Sequence, residues 1–202
     1  MKVIGLTGGI AAGKSKASSI LLDLGALVID ADRIGRRILE KGSPAWKQVK
    51  DNFGEQYLLP GGEVDRRKLG ELVFSHPPSL AMLNEITHPI IKESIETQIN
   101  QLKAEGYEGM IVVEAALLLE KGWETITDEV WVVDAPKGHR IERIMVRDKL
   151  PREEAINRIN SQMSQEEKIR RAHRVIYNKT DINNMEKQIK EIWKEVQGDK
   201  NV

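Results

Sequence analysis

The sequence predicts an α/β fold built on a five-stranded parallel β-sheet that carries two helical insertions. Five short apolar runs, separated by helical patterns, indicate strands that are buried on both faces. Because helices separate successive strands, a parallel sheet is favoured over an antiparallel one. A chain of 202 residues favours one such domain over two independent ones. The predicted strands occupy residues 3–7, 26–29, 110–113, 130–133 and 175–177.

The stretch between the second and third predicted strands, residues 33–106, is too long for a simple crossover. Its residue pattern is mostly helical. An insertion of this size beside the mouth of a parallel sheet is typical of a substrate-binding region, although a purely structural helical buttress has the same pattern. Glycine and proline residues divide the stretch at positions 42–44, 60–62 and 77–78.

A second insertion, residues 137–173, follows the fourth predicted strand and has the size and charge of a lid. From residue 137 to residue 174 the chain carries 11 Lys or Arg against 6 Asp or Glu. We predict two helices in this insertion, the second opened by a capping box of Ser164 and Glu167. We therefore expect a single domain over residues 1–202, with its core in about 1–32, 107–136 and 174–202.

Composition and charge limit the classes of partner. Lysines plus arginines and aspartates plus glutamates number 31 each, so no net charge attracts a long nucleic acid, and 4% aromatic residues disfavour base stacking. No apolar run is long enough to cross a membrane and no signal peptide is recognisable, so we expect a cytoplasmic location. The absence of cysteine excludes disulfides and thiolate metal sites. We predict no nucleic acid and no membrane as partners, and no protein partner is evident.

A phosphate-binding motif follows the first predicted strand. Gly8-x-x-x-x-Gly13-Lys14-Ser15 is a complete P-loop, and it lies between a buried strand and a helix, as this motif requires. The backbone N–H groups of such a loop converge on a nucleotide β-phosphate at the positive end of the following helix. We expect Lys14 to bridge the β- and γ-phosphates and Ser15 to place its hydroxyl on Mg²⁺.

Acidic side chains follow two of the predicted strands. Asp30 and Asp32 come directly after the second strand, at the edge where ligands gather in open parallel sheets. Alternate residues of an extended segment point to opposite sides, so we expect one of the pair to face the phosphates as a general base and the other to cap the next helix. Glu114 ends the third strand, where it either holds the water shell of Mg²⁺ or merely terminates the strand.

A tetrapeptide after the fifth predicted strand points to a different class of protein. Asn178-Lys179-Thr180-Asp181 has the residues of the guanine-recognition motif of GTPases. However, the segment after the third strand lacks the acid-x-x-glycine switch, and only one helical pattern remains after Asp181. We interpret the tetrapeptide as a turn that starts a helix with Asp181 as its cap, and we keep a nucleotide-dependent switch as the distant alternative.

Several segments resemble the dephospho-CoA kinase family, which belongs to the P-loop kinases, in order and over almost the whole chain. Residues 4–15 are similar to that family's P-loop, and residues 28–32 are similar to its acidic motif. Residues 64–66 and 88–90 resemble its substrate-side helices. Farther along the chain, the matching positions are 117–120, Arg143, Arg147, Arg158, Ile159, Gln162, Ala172, Val175, Ile176 and Asn178.

The resemblance implies a P-loop kinase fold and transfer of the ATP γ-phosphate to the 3′-hydroxyl of dephospho-CoA, giving CoA and ADP. It implies Asp32 as the base, whereas His88 is either a substrate contact or a residue that caps or packs a helix beside Pro89. The residue pattern alone stops at a P-loop phosphotransferase, so another small-metabolite or nucleoside kinase is the near alternative. The implied catalytic residues are Asp32, Lys14, Arg143 and Arg147; the ATP contacts are Gly8, Gly9, Ala11, Ala12, Gly13, Lys14, Ser15, Lys16 and Asn178; the substrate contacts are Asp32, His88 and Leu117; the metal contacts are Ser15 and, through water, Glu114.

Some positions depart from the residues that this family usually carries. Ala11 and Ala12 replace a glycine and a serine inside the P-loop, and Lys16 replaces a hydroxyl residue. Each alanine adds a methyl group and restricts the backbone relative to glycine. Glu114 and His173 lie where aspartate is common. Because the lysine, the magnesium hydroxyl and the base are retained, these departures affect the expected rate more than the type of reaction.

Overall fold

A computed structural model of the protein describes residues 1–179 and 182–198, and one parallel β-sheet lies at its centre. The strands are β1 (Lys2–Gly8), β2 (Leu27–Asp30), β3 (Met110–Glu114), β4 (Glu129–Asp134) and β5 (Arg174–Tyr177). Their order across the sheet is β2-β3-β1-β4-β5. The residues of β3 and the middle of β4 are buried, as expected for continuous apolar runs in a covered parallel sheet. The predicted fold class is confirmed.

Nine helices connect or follow the strands in the described part of the chain. Short 3₁₀ turns lie at Glu55–Tyr57 and Trp123–Ile126. The helices are α1 (Lys14–Asp23), α2 (Ala31–Arg37), α3 (Pro44–Phe53), α4 (Arg66–Ser75), α5 (Pro77–Ala104), α6 (Lys137–Asp148), α7 (Arg152–Asn160), α8 (Gln165–Arg170) and α9 (Ile182–Gly198). Over the described residues, none of them combines the length and the apolar character that a membrane crossing requires.

The region predicted to hold two helices after β4 contains three, so this prediction is wrong. The first predicted helix is divided into α6 and α7, because Lys149 ends α6 in a left-handed conformation and Pro151 precedes α7. The predicted cap of the last lid helix is present, since Ser164 precedes α8 and its Oγ accepts the N–H of Glu167 at 3.1 Å. The predicted cap at Asp181 lies outside the described residues, as does Thr180 of the same tetrapeptide.

The chain divides into two compact units, Met1–Ile29 with Lys103–Val202 and Asp30–Leu102. In the first unit, the sheet packs against α1 and α9 through fully buried apolar side chains that include Leu21, Trp131 and Ile189. A separate apolar cluster joins α6 to α7, and Ile10 and Ala11 pack against it. The P-loop therefore packs against α6 and α7, which belong to the predicted lid. The predicted division of one domain into core, insertion and lid stays a prediction.

The second unit has its own apolar core. Its helices α3, α4 and α5 begin at or shortly after the predicted breaks. Ser43 accepts the N–H of Trp46 at the start of α3, and Asp65 accepts the N–H of Lys68 at the start of α4. The helix α5 runs for 28 residues with Pro89 inside it. His88, beside that proline, lies in mid-helix, so the interpretation of His88 as a helix cap is wrong.

An ionic cluster joins the starts of three strands at the edge of the sheet opposite the P-loop. Glu129 accepts from Lys2 at 2.7 Å, from Trp131 at 2.8 Å and from Arg174 at 3.1 Å. Burial raises the pKa of the Glu129 carboxyl, but these hydrogen bonds outweigh burial and lower the pKa to about 2. The cluster therefore stabilises the fold most above the unfolded-state pKa near 4.5, and this contribution is lost as the pH falls toward about 2.

The variant Glu129→Gln is expected to lower the free energy of unfolding at neutral pH by about 1–2 kcal/mol, discounted for partial exposure. Because the native carboxylate loses its advantage in acid, the difference between variant and wild type should shrink between neutral pH and about pH 3.5. Urea unfolding at both pH values measures this difference. A gap of equal size at both pH values would contradict the assignment.

Candidate active site

The P-loop connects the central strand β1 to α1 at the carboxyl edge of the sheet. Its last glycine, Gly13, is the N-cap of α1 and has a left-handed φ of 103°. A side chain there would also collide with Asn178, whose Nδ2 lies 2.3 Å from an ideal Cβ position. Glycine has no side chain to satisfy the first-turn N–H groups of α1, so those groups are suited to an anion.

The two unusual alanines of the P-loop occupy different environments. Ala11 has a positive φ of 61°, which costs an L-amino acid about 1 kcal/mol relative to glycine. The guanidinium of Arg143 donates to Ala11 O at 3.1 Å and helps to hold this conformation. Ala12 is buried in the main core, and its carbonyl accepts from Asn178 Nδ2 at 2.8 Å. The loop is thus fixed by side chains distant in sequence.

A charged cluster lies at the start of α1. Lys14 Nζ is 2.9 Å from Glu114 Oε1, and the hydroxyl of Ser15 donates to the same oxygen at 3.1 Å. Burial raises the pKa of the Glu114 carboxyl, but the charge of Lys14 and the surrounding hydrogen bonds outweigh burial, so the pKa lies below its ordinary value. Glu114 is therefore ionised at neutral pH and bonded to both Lys14 and Ser15, while its role toward Mg²⁺ stays a prediction.

Magnesium fits this donor set. The Ser15 hydroxyl and the Glu114 carboxylate are hard oxygen donors, and Mg²⁺ in phosphotransferases is held by one or two such groups together with substrate phosphates and water. Throughout residues 1–179 and 182–198, no group of three or more His, Asp or Glu side chains forms a ready-made metal site. A magnesium ion here would therefore depend on nucleotide phosphates for most of its ligands.

The predicted lid contributes contacts to the P-loop that sequence reasoning missed. Arg140, only 4% exposed, donates from Nε to Ile10 O at 2.9 Å, and a Cβ on Gly9 would lie 2.3 Å from the Arg140 guanidinium. Burial lowers the pKa of Arg140, although Asp134 and Glu166 oppose this effect. The signal in the sequence is spacing, since Arg140 lies one helical turn before Arg143 on α6.

Two glutamines also hold the P-loop backbone. The N–H of Ile10 donates to Gln162 Oε1 at 2.8 Å, and the N–H of Gly9 donates to Gln165 Oε1 at 3.1 Å. Gln162 belongs to the lid pattern recognised in the sequence, whereas Gln165 had no sequence signal. Arg140 and these two glutamines therefore bind the predicted lid to the backbone of the P-loop.

Asn178 is buried where β5 ends, and the tetrapeptide that it begins connects β5 to α9. The amide of Asn178 donates to the P-loop carbonyl of Ala12. No further strand follows β5 among the described residues. The interpretation of the tetrapeptide as a turn stays a prediction, because Thr180 and Asp181 lie outside the described residues. The structure thus brings together the P-loop, Glu114, Arg143 and Asn178.

Asp30 and Asp32 have different positions at the start of α2. Asp30 is the N-cap, and its Oδ1 accepts the N–H of Arg33 at 2.9 Å. Asp32 lies in the first turn of α2 and is exposed. The expectation that one aspartate of the pair caps the helix is confirmed for Asp30, and Asp32 is left as the candidate base.

The remaining predicted site residues are Arg147, Leu117 and His88. Arg147, on α6, pairs with Asp148 through two bonds of 2.7 and 2.9 Å. Leu117 is half-buried, three residues after Glu114. His88 is half-buried in α5 of the second unit. The functional roles of these three residues stay predictions.

The sequence profile of the dephospho-CoA kinase family matches residues 2–184. A dephospho-CoA kinase of Carboxydothermus hydrogenoformans is 44% identical over 96% of this chain and 95% of that protein, and one of Moorella thermoacetica is 41% identical over 98% and 93%. The solved structure of dephospho-CoA kinase from Campylobacter jejuni has a TM-score of 0.73 at 32% identity and covers 98% of both chains. This chain therefore belongs to the dephospho-CoA kinase family and is an ATP-dependent kinase.

Proposed function

We propose that this chain transfers the γ-phosphate of ATP to the ribose 3′-hydroxyl of dephospho-CoA and releases CoA and ADP. The observation that carries the proposal is the cluster of Lys14, Ser15 and ionised Glu114 at the start of α1, in a chain of this family. The cluster is suited to a nucleoside triphosphate with its metal. The family, rather than the geometry, supports dephospho-CoA as the acceptor.

On the nucleotide side, the N–H groups at the start of α1 bind the β-phosphate, and Lys14 exchanges Glu114 for phosphate oxygens. Ser15 donates its hydrogen to Glu114, so the lone pairs of its oxygen are directed away from that carboxylate. Ser15 and, through water, Glu114 would hold Mg²⁺, which when bound neutralises negative charge on the phosphates. Asn178, Arg140 and the glutamines keep the loop in shape for this binding.

On the acceptor side, Asp32 accepts the proton of the 3′-hydroxyl and orients its oxygen toward the γ-phosphorus. The cap formed by Asp30 supports this role, since it fixes the first turn of α2 where Asp32 lies. His88 and Leu117 contact dephospho-CoA in this proposal. The transition state of phosphoryl transfer is loose and needs little early removal of the hydroxyl proton. Positioning of the hydroxyl by Asp32 therefore contributes more than proton removal.

Arg143 and Arg147 lie four residues apart on α6 and therefore share one helix face. We predict that Arg147→Ala lowers kcat about 10- to 100-fold and changes the KM for ATP less than about threefold, because Arg147 leaves Asp148 for the transferring phosphate only in the closed state. Steady-state kinetics with varied ATP measure both constants. The exposed Arg152 on α7 provides the matched control, Arg152→Ala. Small and equal changes in both constants would contradict a catalytic role for Arg147.

A coupled ADP-release assay tests the proposed function against its alternatives. We expect rapid ADP release with dephospho-CoA and only background release with nucleosides, with shikimate or without an acceptor. Release that depends on another of these acceptors would support a different metabolite kinase. Nucleotide hydrolysis that needs no acceptor and is faster with GTP than with ATP would support the nucleotide switch.

A cytoplasmic location is part of the proposal, because a chain without cysteine needs no oxidising compartment.

A further inference from the structure

A fully buried lysine lies next to the active site and has no role in the proposed mechanism. Lys168, on α8, is 0% exposed, and its Nζ donates to Glu120 Oε1 at 2.6 Å and to Ala116 O at 3.2 Å. Burial lowers the pKa of Lys168, whereas the hydrogen bond and charge of Glu120 oppose that effect. A buried lysine is unfavourable unless its partners are well placed, and buried ion pairs are weak evidence for a stabilising role.

Lys168 holds the segment that follows Glu114. Ala116, two residues beyond that carboxylate, offers its carbonyl oxygen to both Lys168 and the Thr7 hydroxyl, the latter at 3.2 Å. At the far end of the segment, Glu120 Oε1 also accepts the N–H of Met163 at 3.2 Å. Residues 115–120 are therefore fixed near both ends by the ammonium group of one side chain.

The same face of α8 also contacts the P-loop. Gln165 precedes Lys168 by three residues, so the two side chains lie on one side of the helix. The amide of Gln165 accepts from Gly9 N at 3.1 Å and donates to Val133 O at 3.0 Å. α8 thus joins three parts of the site: the P-loop, the end of β4 and the segment after β3.

We propose that Lys168 is a positioning residue for phosphoryl transfer, which fixes residues 115–120 and thereby the placement of Glu114 and Leu117. Its bond to the Ala116 carbonyl is the important contact, and Glu120 serves mainly to balance the buried charge. Glu120 depends on that balance, since its Oε2 is buried and has no hydrogen-bond partner among the described residues. The inference rests on the proposed function, because it concerns the same reaction.

The test compares three variants, Lys168→Met, Glu120→Gln and the double variant, by kcat, KM for ATP and melting temperature. Lys168→Met should lower kcat about 10- to 100-fold with the KM for ATP within about threefold, and should also lower the melting temperature, since the carboxylate of Glu120 loses its cationic partner. Glu120→Gln keeps an acceptor oxygen for Lys168 and should retain kcat within about threefold. The exposed Lys194→Met is the matched control and should resemble wild type.

The double variant separates positioning from charge balance. Because it contains no unpaired buried charge, its melting temperature should rise again toward that of wild type, while its kcat should stay as low as in Lys168→Met. The proposal would be overturned if the double variant recovered kcat together with its melting temperature. It would also be overturned if Glu120→Gln lost as much kcat as Lys168→Met. Turnover of the wild type with dephospho-CoA tests the proposed function separately. Slow ATP hydrolysis without an acceptor tests the role of Lys168 whichever acceptor is correct, and its rate should fall in Lys168→Met and in the double variant.

Discussion

Replacing Lys14 with alanine is expected to lower turnover at least about a hundredfold while the chain stays folded. The ammonium group of Lys14 is bonded to Glu114 at 2.9 Å, at the start of α1 where nucleotide phosphates would bind. Removing Lys14 takes away the only flexible cation of the P-loop motif that reaches both the β- and γ-phosphates. The loss should appear in kcat, because charge on the transferring group is stabilised most in the transition state.

Steady-state ADP release and a thermal melt of Lys14→Ala measure this expectation. Glu114 loses its cationic partner in the variant, so we also expect a modest decrease in melting temperature. Lys194→Ala, an exposed substitution on α9, is the matched control and should leave turnover unchanged. Near-normal turnover in Lys14→Ala would refute the assignment of residues 8–15 as the phosphate site.

The variant Asp32→Asn is expected to lower kcat by about two to four orders of magnitude, with little change in the KM for dephospho-CoA or in ATP affinity. Asparagine keeps the shape of the side chain but removes its charge and its basicity. Both the orientation of the acceptor hydroxyl and the removal of its proton are therefore weakened. Full kinetics with both substrates varied measure these constants.

Asp30 provides the matched comparison, since it is the neighbouring acid but serves as the cap of α2. Asp30→Ala should lower the free energy of unfolding by about 1 kcal/mol through loss of the cap, and should reduce kcat less than about tenfold. If Asp30→Ala abolishes turnover and Asp32→Asn stays active, the base has been assigned to the wrong residue. If neither change affects kcat, the end of β2 does not supply the base.

Features set by local sequence could be predicted. All five strands were found because continuous apolar runs are required by burial on both faces of a parallel sheet. The P-loop was found because its glycines and its position between strand and helix follow from backbone geometry. The cap at Asp30 was expected because an acid after a strand can accept the first free N–H of the next helix.

Features set by tertiary contact could not be predicted. Arg140 lies 130 positions from its acceptor Ile10, and Lys168 lies 52 positions from Ala116, so no local pattern reveals either pair. The division of α6 from α7 was missed although Pro151 signalled it. The possible role of His88 as a helix cap beside Pro89 was wrong, because α5 continues through this proline. The acceptor specificity of the site likewise came from family resemblance rather than from residue chemistry.

The identity of the phosphorylated product decides whether this chain phosphorylates the 3′-hydroxyl of dephospho-CoA. Purified protein is incubated with ATP, Mg²⁺ and dephospho-CoA, and the product is examined by ³¹P NMR and mass spectrometry. We expect one new phosphomonoester on the 3′-oxygen of the adenosine ribose, formed in equal amount with ADP. Formation of ADP without a new phosphomonoester, or a phosphate attached elsewhere on the acceptor, would contradict it.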